Sequence, residues 1–329
     1  MNERMGFKGM KTVSGSKVLG KSIKSTRQAY GEVLLELGKE KKNLFVMDAD
    51  LSISTKTCYF AKKFPERFFN AGIAEQNMIG VASGLSKTGK TVIVSTLAVF
   101  ALGRVFDQVR NTLVHSDCDV KIVATHAGIS VGKDGSSHQS IEDIALARVI
   151  PGMRVIVPCD AVETMKVIKR IVDIPGPFYV RLGRADVPII TSERTKFEMG
   201  KGYVLKEGKD VTLIGCGMTV FEILEAADIL ASENIDAEVI NMTSIKPIDE
   251  NLIIKSANKT KKVFTCEEHS IIGGLGSAVL EALEEKRDIF VKRIGIQDCF
   301  GESGLPGELF EKYGLSATKI VEKVKRYLD

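Results

Sequence analysis

Short apolar runs alternate with amphipathic stretches along most of this chain, and that alternation predicts an α/β architecture. Residues 44–47, 92–94, 120–124, 155–157 and 178–182 form apolar runs of strand length, as expected for buried strands. Between them, Met78, Ile79, Val81, Ala82 and Leu85 recur at helical spacing. Ser140-x-x-Asp143 and Asp160-x-x-Glu163 carry the capping-box pattern, in which a side chain satisfies an orphan N–H of the first helical turn. Strands separated by helices predict a doubly wound, mainly parallel sheet covered on both faces.

The rhythm lapses between residues 185 and 201, where Pro188, Thr191, Ser192, Glu193 and Arg194 precede Gly200-Lys-Gly202. A second alternation follows, with strands expected at 211–214, 237–240, 262–265 and 290–296. Helices are expected from Thr219, near Asp249 and after Gly276, with two more at the end, the last capped by Ser316. The expected organisation is an extension over 1–20, one α/β domain over 21–185, a linker over 186–201 and a second α/β domain over 202–329. A length of 329 residues suits two such domains.

Composition narrows the function classes. The net charge is +4 and no basic block is interleaved with aromatics, so a nucleic-acid footprint is not expected. The N-terminus carries no apolar signal region, and no run reaches membrane-span length. Six cysteines, Cys58, Cys118, Cys159, Cys216, Cys266 and Cys299, are scattered without a C-x-x-C pair. Reduced thiols and a cytoplasmic location are therefore expected. Cys266-Glu-Glu-His269 is one isolated pair of ligand types where zinc needs about four, so it reads as structural and no metal site is expected on this chain. Gly273-Gly-Leu-Gly276 lacks the order of a nucleotide loop and reads as a tight turn with close helix packing.

Two segments concentrate chemistry. Gly72-Ile73-Ala74-Glu75-Gln76 sets a carboxylate on a glycine-started turn that opens a helix, ahead of a strand-and-phenylalanine segment over 92–100. A helix N-terminus favours any acid, which is the ordinary explanation of Glu75. The stretch 125–139 follows a strand and gathers two of the four histidines, His126 and His138, with Asp134 on one glycine-punctuated loop. Strand-end loops of open α/β sheets are where ligands bind. Histidine there can move protons or, when charged, hold a phosphate. The spacing of twelve between the histidines matches no short metal motif.

With these residues in place, the chain resembles the C-terminal portion of transketolase, its pyrimidine-binding domain followed by its small C-terminal domain, from about Lys24 onward. Gly72-Ile-Ala-Glu-Gln-Asn77 is similar to the family's glutamate motif, and Asp134-Gly-Ser-Ser-His-Gln139 to its Asp-Gly-x-Thr-His-Gln loop. Phe300-Gly-Glu-Ser-Gly304 is similar to its C-terminal signature. The resemblance implies thiamine diphosphate as cofactor. It makes Glu75 the catalytic carboxyl that bonds the aminopyrimidine and exchanges a proton with it. It makes Phe100 the aromatic packed on that ring, with Phe106 in the same pocket and Asp50 near the thiazolium. It puts His138 beside the reacting carbonyl and hydroxyl groups, Asp134 on a sugar hydroxyl, and Arg27, Ser54, His126 and Arg184 at the sugar-phosphate end. Arg181 is an alternative to Arg184. Leu97 stands where the family often has phenylalanine, and Ala127-Gly128 replaces a usual Asp-Ser pair.

The family's magnesium and diphosphate site, marked by Gly-Asp-Gly and a later Asn-Asn, is found nowhere in this sequence. About twenty residues precede the first matched segment, too few for another α/β domain. The expectation is half an enzyme: a C-terminal subunit that transfers a two-carbon ketol unit between sugar phosphates, as in pentose phosphate chemistry. A partner chain would supply the Mg2+ ligands, in a hetero-oligomer with self-association. The rival readings are a deoxyxylulose-phosphate synthase-like chain, a 2-oxo acid dehydrogenase beta-like subunit and a non-catalytic assembly subunit.

Overall fold

The computed structural model describes residues 22–328, so the expected extension over 1–20 lies outside the described residues. Fourteen strands occur among them in chain order: β1 (Ile23–Ser25), β2 (Leu44–Asp48), β3 (Phe68–Asn70), β4 (Thr91–Leu97), β5 (Val120–Thr125), β6 (Arg154–Ile156) and β7 (Phe178–Arg181). Then follow β8 (Asp186–Pro188), β9 (Tyr203–Lys206), β10 (Val211–Gly215), β11 (Ala237–Asn241), β12 (Ser244–Lys246), β13 (Lys262–Ser270) and β14 (Phe290–Ile296). They form a seven-stranded sheet in the order β12-β6-β7-β5-β4-β2-β3, a five-stranded sheet β14-β13-β10-β11-β9, and the antiparallel pair β1-β8.

Each large sheet is parallel except for one edge strand: β12 runs antiparallel to β6, and β9 to β11. The central strands β4 and β5 are buried along their whole length. That is why they read as unbroken apolar runs: helices cover both faces of a parallel sheet. Every strand expected from the sequence is present. The additional ones, β1, β3, β8, β9 and β12, are short and lie at sheet edges or in the small pair.

The residues expected to form a linker do more than connect. Asp186–Pro188 pairs with Ile23–Ser25, and Phe197 is buried in the same apolar cluster as Phe178 and Val180. The Asp160 carboxylate accepts bonds from Ile190 N at 2.8 Å and Thr191 N at 2.6 Å while its Oδ1 caps the helix Ala161–Ile171. The two large sheets are also joined, because β12 leaves the second half of the chain to extend the first sheet.

The capping box expected at Ser140 does not form. That helix begins at Asp143, whose buried carboxylate instead accepts from Arg181 Nε at 2.8 Å and from the Tyr179 hydroxyl at 2.6 Å. Tertiary charge pairing outbids local capping here. The Cys266-Glu-Glu-His269 run lies inside β13 and is buried throughout. Glu267 accepts from Leu275 N at 2.7 Å and Gly276 N at 2.9 Å, so a protein carboxylate fills the anion position at the start of the helix Leu275–Ala282. A Cβ on Gly274 would overlap that carboxylate, which explains the glycine and leaves no room for a phosphate.

Among the described residues no helix is long and apolar enough to cross a membrane, and all six cysteines are unpaired. Arg181 is one of several heavily bonded buried charges in the first half. Besides Asp143 it donates to Ser140 O at 3.3 Å and Glu268 O at 2.9 Å, and, against the lowering effect of burial, the Asp143 carboxylate raises its pKa. Breaking a buried pair leaves an uncompensated charge, so Arg181→Ala is expected to cost about 3–5 kcal/mol. Urea unfolding would check this, and a loss below about 1 kcal/mol would contradict it.

Candidate active site

Parallel pairing sends the carboxyl ends of β7, β5, β4, β2 and β3 to one edge in that spatial order. The segments leaving those ends carry Arg184, then His126, Asp134 and His138, then Phe100, then Asp50 and Ser54, then Glu75. Residues scattered over more than a hundred positions are thereby brought to one rim, as open α/β sheets do for ligands.

Glu75 is the first residue of the helix Glu75–Ser86, reached through Gly72, whose φ of 71° favours glycine. It is 2 % exposed. Its Oε2 accepts from Arg104 Nη1 at 2.9 Å, and the Arg104 guanidinium lies 4.3 Å over the centre of the Phe100 ring. Phe100 in turn meets the His138 ring edge-on, with centroids 5.8 Å apart. His138 Nδ1 is bonded to Ser137 Oγ at 3.0 Å. The strand-and-phenylalanine segment ends sooner than expected: β4 stops at Leu97, and Phe100 lies in the π-helical turn Val99–Gly103. Such backbone is rare and concentrates at functional sites. Phe106 is half-buried against the main apolar core, and among the described residues it belongs to no aromatic pair, so the structure does not bring it to Phe100.

Asp50 sits at φ 63° on the exposed rim. Its backbone N–H donates to Asn70 Oδ1 at 3.0 Å, and Asn70 returns a bond to the Asp50 carboxylate at 3.1 Å. Asn70 Oδ1 also accepts from Gly72 N, which ties this loop to the turn before Glu75. Beneath them, buried Asp48 accepts from Leu51 N, Thr55 Oγ1 and Thr57 Oγ1, fixing the segment that carries Asp50 and Ser54. Burial raises the Asp48 pKa against those bonds.

The remaining residues form a cationic cluster. Arg27 donates to Ser54 O at 2.9 Å and to Arg184 O at 3.2 Å. Arg184 pairs with Asp134 at 3.3 Å and also bonds Val131 O. Burial, then the charge of Arg184, lowers the Arg27 pKa. Arg181, the alternative to Arg184, is buried on Asp143, whereas Arg184 is part-exposed beside Asp134. His126 is buried with Nδ1 against Thr125 Oγ1 at 2.8 Å. Burial, then Arg27 and Arg184, pushes its pKa down to about 3. It is therefore a neutral ring at ordinary pH, not the charged phosphate holder the sequence allowed.

Two further segments secure the loop. Gln139 donates to Ile129 O, Gly132 O and, at 2.8 Å, Glu302 O, so the Phe300–Gly304 signature packs on the Asp134–Gln139 loop. Glu268 of β13 accepts from Ser130 N, and a Cβ on Gly128 would overlap its side chain. Burial pushes the Glu268 carboxyl up to about 7. Sequence reasoning missed Arg104, Asn70, Asp48 and Glu268. Only Arg104 left a local signal, four residues after Phe100. Among the described residues, no group of three or more His, Cys, Asp or Glu is placed to hold a metal.

Known proteins resemble this chain over most of its length. The transketolase pyrimidine-binding domain model matches residues 23–189, and the transketolase C-terminal domain model matches 200–320. The chain belongs to the transketolase family and corresponds to its C-terminal section. It is 51% identical over 304 residues to a "Putative transketolase C-terminal section" of Methanocaldococcus jannaschii, covering 92% of this chain and 95% of that one. Human transketolase is 35% identical over 305 residues, which are 92% of this chain but 48% of the human protein. A solved split gene transketolase, described as an inactive beta4 tetramer, superposes with a TM-score of 0.86 at 54% identity, covering 92% of this chain and 98% of that one.

Membership implies thiamine diphosphate use, and the site suits such a ring. A flat guanidinium already makes an edge contact with Glu75 and a face contact with Phe100, the two kinds of contact open to a flat amino-bearing ring.

The His126 environment has a measurable consequence. The unfolded chain takes up a proton there near pH 6.5, while the folded protein resists until about 3. Between those values the unfolded state binds more protons, so stability falls as pH drops through that window. Asparagine tolerates the positive φ of 59° at this position. His126→Asn is expected to lose about 1–2 kcal/mol less than the parent between pH 7 and 5, by urea unfolding at each pH. An equal loss in both proteins would contradict the assignment.

Proposed function

We propose that this chain is the C-terminal subunit of a split, thiamine diphosphate-dependent transketolase in the cytoplasm. It would transfer a two-carbon ketol unit from a phosphorylated ketose to an aldose. The observation that carries this reading is the buried Glu75 carboxylate facing a planar group stacked on Phe100, on the same edge of the sheet as a cationic cluster.

In this reading the cofactor supplies a carbon nucleophile and an electron sink when bound. Glu75 holds the aminopyrimidine edge and exchanges a proton with it at a carboxyl oxygen, in a site dry enough to strengthen that bond. Phe100 supports the ring face, with Asp50 at the thiazolium side. His138 has Nδ1 occupied by Ser137, which leaves Nε2 to serve the reacting carbonyl and hydroxyl oxygens. Asp134 accepts from a sugar hydroxyl. Arg27 and Arg184, with Ser54 and the neutral His126 beside them, receive the sugar phosphate, whose charge relieves the repulsion between the two guanidiniums.

Mg2+ and the diphosphate would be held by an N-terminal chain bearing Gly-Asp-Gly and Asn-Asn. Exposed Ile53, Phe69, Ile73 and Val81 on segments at the same edge supply apolar surface for that partner or for a second copy of this chain. The similarity to an inactive tetramer of a split transketolase supports an inactive self-associated form. Reduced thiols at all six cysteines suit the cytoplasm.

The test is turnover of xylulose 5-phosphate and ribose 5-phosphate with thiamine diphosphate and Mg2+, by this chain alone and mixed with its N-terminal partner. Activity is expected in the mixture only, and Glu75→Ala is expected to reduce it by about 10²–10⁴-fold. Full activity of that variant would remove Glu75 from its role, and consumption of pyruvate in place of the ketose would favour the synthase or dehydrogenase readings.

A further inference from the structure

We propose that Arg104 is a built-in stand-in for the cofactor ring, which fills the pyrimidine place in the free chain and must swing out before the ring enters. This rests on the roles given above to Glu75 and Phe100, and it adds a residue that those roles do not include. The guanidinium and an aminopyrimidine share two recognition features: flat N–H-bearing edges and a delocalised face. Arg104 uses both, donating to Glu75 at 2.9 Å and stacking on Phe100 at 4.3 Å. Those two side chains cannot make the same contacts with a second flat group while the arginine is there.

The surroundings explain why an arginine would be kept in this position. Glu75 is almost wholly buried, and a carboxylate left bare at such depth is costly. Arg104 covers it with a charge-assisted bond until the ring edge takes its place. The arm itself is free to leave, since its side chain is 45% exposed while that of Glu75 is 2% exposed. It follows Gly103, around which a Cβ would meet nothing within 4 Å, and it lies between the π-helical turns Val99–Gly103 and Gln108–Val114. Binding is therefore an exchange of one hydrogen-bonding partner of Glu75 for another. The ring competes with a tethered group, so the observed affinity of the free chain is reduced by the fraction of molecules in which the arginine is out.

Titration calorimetry of the full chain with 4-amino-5-hydroxymethyl-2-methylpyrimidine, and separately with thiamine diphosphate plus Mg2+, tests this without any activity measurement. Arg104→Met, which keeps an unbranched stem without the charge or flat face, is expected to bind the pyrimidine about five- to tenfold more tightly than the parent. Arg104→Ala is expected to do the same, and adding Glu75→Ala to either variant is expected to abolish the gain. Thermal unfolding of each variant reports that it folds. Unchanged, weaker or undetectable binding by both Arg104 variants, with Glu75→Ala weaker than the parent, would overturn the stand-in and make Arg104 a positioning residue while the pocket assignment survives. Pyrimidine binding by Glu75→Ala as tight as the parent's would instead remove the pocket assignment, and this inference with it.

Discussion

The site depends on one buried guanidinium. Arg181 stands at the carboxyl end of β7 and holds the Asp143 carboxylate, the Ser140 carbonyl and the Glu268 carbonyl together. Those groups belong to the histidine-bearing loop, to the helix that follows it, and to the second sheet. A charge this deep is stable only when its partners are all in place, which makes the arrangement close to all-or-none. Glu268 adds a second clasp from β13 onto Ser130, and glycine at 128 lets the two approach. The C-terminal half is therefore part of the scaffold that shapes the loop carrying Asp134 and His138.

On that frame the rim separates charge into two regions. At one end a buried carboxylate faces an aromatic ring across an arginine. At the other, two guanidiniums crowd a histidine that burial keeps neutral, with Asp134 alone paired to one of them. A substrate with an anionic end and hydroxyl groups suits the second region, and a flat nitrogen heterocycle suits the first. Preorganised donors and acceptors of this kind need no rearrangement at the moment of reaction. Exposed apolar side chains, Ile53, Phe69 and Ile73, stand on segments at this edge.

Much of this was legible in the sequence, for physical reasons. Parallel strands buried on both faces leave unbroken apolar runs, so β2, β4, β5, β7, β10 and β13 could be read directly. Strands such as β1, β8 and β12 could not, because a three-residue edge strand exists only through a partner far along the chain. Ser140 looked like a helix start because capping is a local signal, but Arg181 fixes Asp143 through a contact that no local pattern contains. The glycine run before the helix Leu275–Ala282 was correctly separated from phosphate loops, and the reason is a carboxylate from a neighbouring strand. Glu75, Phe100, His138, Asp134 and Arg184, singled out from the sequence, are gathered on one edge. Arg104 and Asn70 were missed because each matters only through what it touches. The histidine charge state was likewise invisible, since it depends on burial and on two distant arginines.

The central claim is that this chain carries one side of a cofactor site and a partner carries the other. Equilibrium dialysis of thiamine diphosphate with Mg2+ against this chain, its N-terminal partner and their mixture tests it most directly. The account predicts tight binding of one cofactor per chain pair in the mixture and weak binding by either chain alone. Binding by this chain alone that is as tight and as stoichiometric as in the mixture would contradict it.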